Sequence, residues 1–179
     1  MKQILILLAL FTTFGAVRAE LLSVTLRADG LTCSMCSLSV HKALARLDFV
    51  AEVQPNIADT TFTVKFRPGQ PVSLDRVAAA VRDAGFSVGQ LRLTFQFDHQ
   101  QVRDDLHLAS GGLVLHFVST GPRVLDGPVE LRLVDRGFVP DAEQKRWESA
   151  IRHACYRSGT VGECCPAGAP GQRVYHVTL

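Results

Sequence analysis

The chain has 179 residues, 47% hydrophobic and 20% charged, enough for one medium domain or two small ones with a buried core. Its formal charge of +2, from 19 basic and 17 acidic side chains, sets up no strong field toward nucleic acid or an anionic membrane. Lys2 and Arg18 carry the excess: without residues 1–19, which hold no acid, the balance is 17 against 17, and an electrostatic nucleic-acid binder is excluded.

In chain order, the N-terminus reads as a secretory signal. Lys2 supplies the positive charge, Ile4 to Leu10 is apolar, and Val17-Arg18-Ala19 has the small-x-small pattern that predicts cleavage before Glu20. Thr12, Thr13 and Gly15 interrupt the apolar run well short of the roughly 20 residues a membrane span needs. Residues 1–19 are thus expected to be a signal peptide, and the mature protein to be periplasmic or secreted with no membrane span. Leu22, Val24 and Leu26 alternate with polar residues and predict a half-buried strand, which Asp29-Gly30 ends. The loop Leu31-Thr32-Cys33-Ser34-Met35-Cys36 leads into a helix running to about Leu47, with Cys36, Val40, Leu44 and Leu47 as its apolar stripe.

Val50 to Ile57 is a second strand candidate, and Pro55 suits an edge position where its missing N–H is not needed. Thr61 to Phe66 alternates with Phe62, Val64 and Phe66 inward. Ser73 is a good N-cap for a helix that buries Leu74, Val77, Val81 and Ala84 and stops at Gly85. A last strand starts near Phe86 and runs through Leu91, Leu93, Phe95 and Phe97. The order β-α-β-β-α-β predicts a ferredoxin-like unit over residues 20–97.

Gly30-Leu31-Thr32-Cys33-Ser34-Met35-Cys36 resembles the G-M-T-C-x-x-C loop of heavy-metal-associated domains. The likeness extends to Val40, Ala43 and Leu44 on the first helix, to Leu47-Asp48-Phe49-Val50 at the corner after it, and to Asp83-Ala84-Gly85-Phe86. It implies that Cys33 and Cys36 are the metal ligands. Chemistry points the same way: two soft sulfurs on one short loop favour Cu(I), zinc and similar ions, and a thiol in the first helical turn is acidified by the helix dipole. With no His or carboxylate beside them to complete a four-ligand site, Cu(I) is the first expectation, Hg(II) the second and Zn(II) the third. Three residues depart from the family pattern: Leu31 replaces Met at similar volume, Phe49 replaces a turn Gly, and Phe86 is expected to act as an apolar shield.

Residues 98–179 resemble no family and read as a small α+β domain. Asp98 to Asp105 looks like a polar linker; Leu113–Val118 and Val129–Val134 look like strands. Pro140-Asp141 opens a helix, with Asp141 and Gln144 in capping-box spacing and Trp147, Ile151 and Ala154 or Cys155 as its buried stripe; Arg173 to Leu179 forms a final strand. For Cys155, Cys164 and Cys165 the compartment favours one disulfide from Cys155 to Cys164 or Cys165. The odd cysteine keeps a second thiolate metal site open, with His153 as a further ligand.

The expected fold class is therefore α+β, a ferredoxin-like metal-binding domain followed by a smaller α+β domain. The expected function is not enzymatic: a monomeric exported carrier that takes a soft ion from a donor protein or gives it to an acceptor, a transporter or metal-translocating ATPase. A thiol–disulfide oxidoreductase is the alternative from the C-x-x-C motif, and an interaction module with Cys33 and Cys36 oxidised to each other is the third reading.

Overall fold

A computed structural model describes residues 19–179; the signal-peptide reading of residues 1–19 rests on residues that, Ala19 apart, lie outside this range. The first half contains β1 (Glu20–Asp29), α1 (Ser34–Ala45), β2 (Val50–Asn56), β3 (Thr61–Phe66), α2 (Leu74–Asp83) and β4 (Ser87–Val102). Their order in the sheet is β2-β3-β1-β4, all pairs antiparallel, with β1 inside and β2 at the edge. This is the expected ferredoxin-like arrangement, and it puts Pro55 on the edge strand.

Packing follows the pattern closely. Val24 and Leu26 of β1, Phe62 and Val64 of β3, and Leu91 and Leu93 of β4 turn one face of the sheet inward. Val40 and Leu44 of α1 and Leu74, Val77 and Val81 of α2 cover that face. Each such side chain contributes about 1.5–3 kcal/mol through burial. Leu22 departs from the expectation and is exposed, because the β1–β4 register shifts between Leu21 and Ser23. A one-residue slip reverses which side chains face the core, and Leu21 packs inward instead. Ser73 caps α2 by accepting from the Arg76 N–H. Gly85, at φ +90°, ends the helix in the left-handed region that side chains with a Cβ avoid. At the corner after α1, Phe49 is buried against Phe66, with the Arg76 guanidinium over its ring and the Asp48 carboxylate.

The second half contains β5 (His107–Ser110), β6 (Leu113–Phe117), β7 (Arg123–Leu133), α3 (Asp141–Ala150), α4 (Ala154–Ser158) and β8 (Val174–Thr178). Its strands continue the same sheet in the order β4-β7-β8-β6-β5, with β6 and β8 parallel. Residues 98–102, read as a linker, instead complete β4, a 16-residue strand that pairs with β1 on one side and β7 on the other. A register shift between Phe97 and Gln100 absorbs the polar Asp98-His99 pair that resembled a linker. The buried cluster is continuous across this point, from Val24 and Leu26 through Phe95 and Phe97 to Leu131 and Val177.

The C-terminal helix also differs from its prediction. Its N-cap is Pro140 with no side-chain cap bond, α3 buries no residue, and the chain turns at Ile151 before a separate short α4 that buries Cys155 and Tyr156. Only Ile151 and Cys155 of the expected stripe are buried, on different elements. Polar contacts also tie the halves together. The Asp75 carboxylate on α2 accepts from Tyr175 Oη of β8 at 2.9 Å and from Arg173 Nε at 3.0 Å.

Candidate metal centre

Cys33 and Cys36 occupy the junction between β1 and α1. Gly30, at φ +89°, turns the chain out of β1, and a Cβ there would stand 3.9 Å from the Phe86 ring. Leu31 packs on the core and anchors the loop, as its volume match with Met predicted. Cys33 is the N-cap of α1: its backbone is extended and its Sγ accepts from the Cys36 N–H at 3.4 Å. A sulfur thus takes the place of the oxygen that usually caps a helix. Cys36 follows in the first turn, its Sγ 2.9 Å from that of Cys33.

Cys33 is exposed and Cys36 half-exposed, so an incoming partner can reach both sulfurs. The Cys36 thiol is more acidic than usual, first through its hydrogen bond with Cys33, then through the Thr32 backbone N–H, with the Thr32 hydroxyl adding to these. These hydrogen bonds act at the start of α1, with Cys33 as N-cap and Cys36 in the first turn. Among the described residues, every group of three or more clustered metal-ligating side chains lies elsewhere, so this is a two-sulfur site. His41 of α1 takes no part in such a group. Met35 and Ile57 are exposed, and Ile57 lines the same cleft of about 240 Å³ as Cys33, so apolar surface adjoins the thiols.

The second half gathers a different set of donors. Cys155 is 1% exposed, with Sγ 3.5 Å from His176 Nε2, 3.6 Å from His116 Nδ1 and 3.9 Å from His107 Nε2. Cys164 and Cys165 lie 3.6 Å apart, sulfur to sulfur, and both are within 4.8 Å of Cys155. The expected disulfide is not formed: all five thiols are free. His153 bonds Asp105 at 2.8 Å and sets its ring edge against His116 rather than joining the three cysteines.

Burial shifts Cys155, His116 and His107. It pushes the Cys155 thiol up, and it pushes His116 down to about 3, with His107 and His176 adding to the effect. His107, also depressed by burial, stacks on His116 at 4.0 Å. His176 is oriented by Asp135, whose Oδ1 is 2.8 Å from Nδ1 and whose Oδ2 accepts the His176 backbone N–H. The sequence reading missed His107, His116, His176 and Asp135. The available signal was a histidine inside each of two apolar strands, Leu113-Val114-Leu115-His116-Phe117 and Val174-Tyr175-His176-Val177.

Comparison with known proteins bears on the first of these centres. The model of the heavy-metal-associated domain matches residues 25–87. The mercuric transport protein periplasmic component of Pseudomonas fluorescens is 34% identical over 86 residues, covering 48% of this chain and 93% of that protein. Copper-transporting ATPase 1 of Rhizobium meliloti is 42% identical over 152 residues, which are 82% of this chain but 17% of the ATPase. Among solved structures, oxidized MerP from Ralstonia metallidurans CH34 is 32% identical over 37% of this chain and 93% of that one, with a TM-score of 0.34.

Proposed function

The chain belongs to the heavy-metal-associated domain family, and from that premise we propose that it is an exported carrier that captures a soft metal ion on Cys33 and Cys36 and passes it on. The observation that carries the proposal is the exposed pair of sulfurs, 2.9 Å apart, at the N-terminus of α1. The hydrogen bonds that lower the Cys36 pKa favour its thiolate, which is the form that binds metal.

A two-sulfur site leaves a soft ion under-coordinated. A thiolate of a partner protein can then enter before a thiolate of this chain leaves, so the cargo moves by ligand exchange and is never free in solution. Two sulfurs with no third ligand suit Cu(I) or Hg(II) better than Zn(II), which takes four ligands in stable sites. Cu(I) is the first choice and Hg(II) the second. The exposed Met35 and Ile57 offer a partner an apolar rim beside the loop.

The named relatives support a transport role: one is a periplasmic component of mercuric transport, the other a copper-transporting ATPase. The partner is accordingly a membrane transporter or metal-translocating ATPase, and the compartment the periplasm or exterior. None of the described helices is long and apolar enough to cross a membrane.

The test is a Cu(I) titration of the reduced protein against a chromogenic chelator, beside the Cys33→Ser/Cys36→Ser variant. One tightly held ion that disappears in the variant supports the carrier. Equal binding by both proteins refutes it, and insulin reduction that depends on Cys33 would favour an oxidoreductase.

A further inference from the structure

We propose that the second half holds an internal metal site, in which His107, His116 and Cys155 bind a divalent ion of the zinc class. It is separate from the loop of Cys33 and Cys36 in position, donor set and accessibility.

Strand register builds the site. His107 of β5 is paired with His116 of β6, and His116 with His176 of β8, so three imidazoles stand in one row across adjacent strands. Helix α4 lays Cys155 over that row. It is fixed by Tyr156, whose hydroxyl donates to the Val134 carbonyl at 2.8 Å and whose ring edge meets His176. His107 Nε2, His116 Nδ1 and Cys155 Sγ all lie within 4.8 Å of one another.

The spacing fits tetrahedral coordination. Zinc–sulfur and zinc–nitrogen bonds of about 2.3 and 2.0–2.1 Å at tetrahedral angles place sulfur and nitrogen about 3.5 Å apart. The measured separations from Cys155 Sγ to His116 and His107 are 3.6 and 3.9 Å, so loading needs only small movements. Two imidazoles with thiolate are a borderline donor set, which favours zinc over the softer Cu(I) and Hg(II).

The energetics point to an occupant as well. His116 and His176 are fully buried and Cys155 nearly so. Three ring nitrogens face the Cys155 sulfur, whose single S–H can donate to only one of them. Polar groups buried without full pairing destabilise a fold by about 1–3 kcal/mol each, and an ion bound by His107 Nε2, His116 Nδ1 and Cys155 Sγ would offset that by engaging nitrogens the thiol cannot satisfy. Asp135 and His176 form an outer layer: the carboxylate fixes the imidazole, which packs on the ligand sulfur. Cys164 and Cys165, half-buried, stand nearer the surface and give the ion its way in. On loading, the Cys155 S–H bond breaks, a sulfur–metal bond forms, and the proton is released to solvent.

The experiment uses the reduced full chain carrying Cys33→Ser/Cys36→Ser, so that the loop contributes nothing, and Co(II) as an optical substitute for Zn(II). One equivalent of Co(II) should bind with a thiolate-to-cobalt charge-transfer band and tetrahedral visible bands, and Zn(II) should displace it. Adding Cys155→Ala should remove the charge-transfer band, and His116→Gln should weaken binding at least tenfold. Circular dichroism checks each fold; if Cys155→Ala does not fold, His107→Gln carries the test with the same tenfold weakening. No saturable Co(II) uptake, binding unchanged by these variants, or a Cys155 disulfide in the isolated protein would overturn the proposal. Cu(I) binding by Cys155→Ala with its loop intact tests the carrier reading separately, so either centre can fail alone.

Discussion

The two cysteine-bearing regions solve opposite problems with similar atoms. In the first, Cys33 and Cys36 are solvent-accessible at the start of α1, and hydrogen bonds from Cys33 and Thr32 acidify Cys36. In the second, Cys155 is enclosed by three imidazoles, and burial pushes its thiol up. An exposed thiolate pair with few ligands can release its ion to a partner. A closed set with many ligands retains one, so that binding energy adds to folding energy. On the two proposals, coordination number and access, more than the cysteines themselves, separate carrying a metal from keeping it.

The sharpest way to break the comparison is to remove each set of thiols and read both affinity and stability. Cys33→Ser/Cys36→Ser should lower Cu(I) affinity by about 10⁴-fold, roughly 5.6 kcal/mol, in chelator competition while leaving the melting temperature of the metal-free protein unchanged. For the second region the readout is reversed: chelating Zn(II) from the loaded protein should lower its melting temperature, by about 2.7 kcal/mol of stability if zinc was present at 100 times its dissociation constant.

A core substitution tests whether the regions are mechanically one body. Phe95 is fully buried on β4, the strand both halves share. Phe95→Ala should destabilise by about 3–5 kcal/mol. Urea unfolding followed by probes in either half should shift together; two separate transitions would show that the continuous sheet does not couple them.

Smaller effects refine the link. Tyr175→Phe removes a hydrogen bond to the Asp75 carboxylate that joins β8 to α2, and should cost about 1.5–3 kcal/mol in denaturant melts. Asp104 has its carboxyl held below the usual range by the backbone N–H groups of Thr120 and then Gly121. Because its folded pKa is depressed, its stabilising contribution is present above the unfolded value and is lost as pH falls through the folded one. Asp104→Asn should therefore lower the melting temperature slightly at neutral pH, where the carboxylate contributes, and the difference from wild type should vanish as pH falls below about 4, leaving a flatter acid side of the profile.

The first centre was legible because its information is local. Gly30, Cys33 and Cys36 fall within seven residues, the strand before and helix after them announce themselves by periodicity, and Ser73 and Gly85 mark the second helix by capping chemistry that acts within one turn. The sequence alone therefore determined the β-α-β-β-α-β order and the pair of thiols at a helix start. It left a second site open on Cys155, Cys164 and Cys165 with His153, but missed His107, His116 and His176, because these are brought together only by which strands become neighbours. Asp98 and His99 looked like a linker because a register shift inside a long strand has the same polar composition as a loop. What the tertiary structure decided was that β4 continues into a shared sheet, that β8 inserts between β7 and β6, and that a row of histidines meets Cys155 there. Strand pairing is a long-range choice set by burial on whole faces, and no window of neighbouring residues contains it.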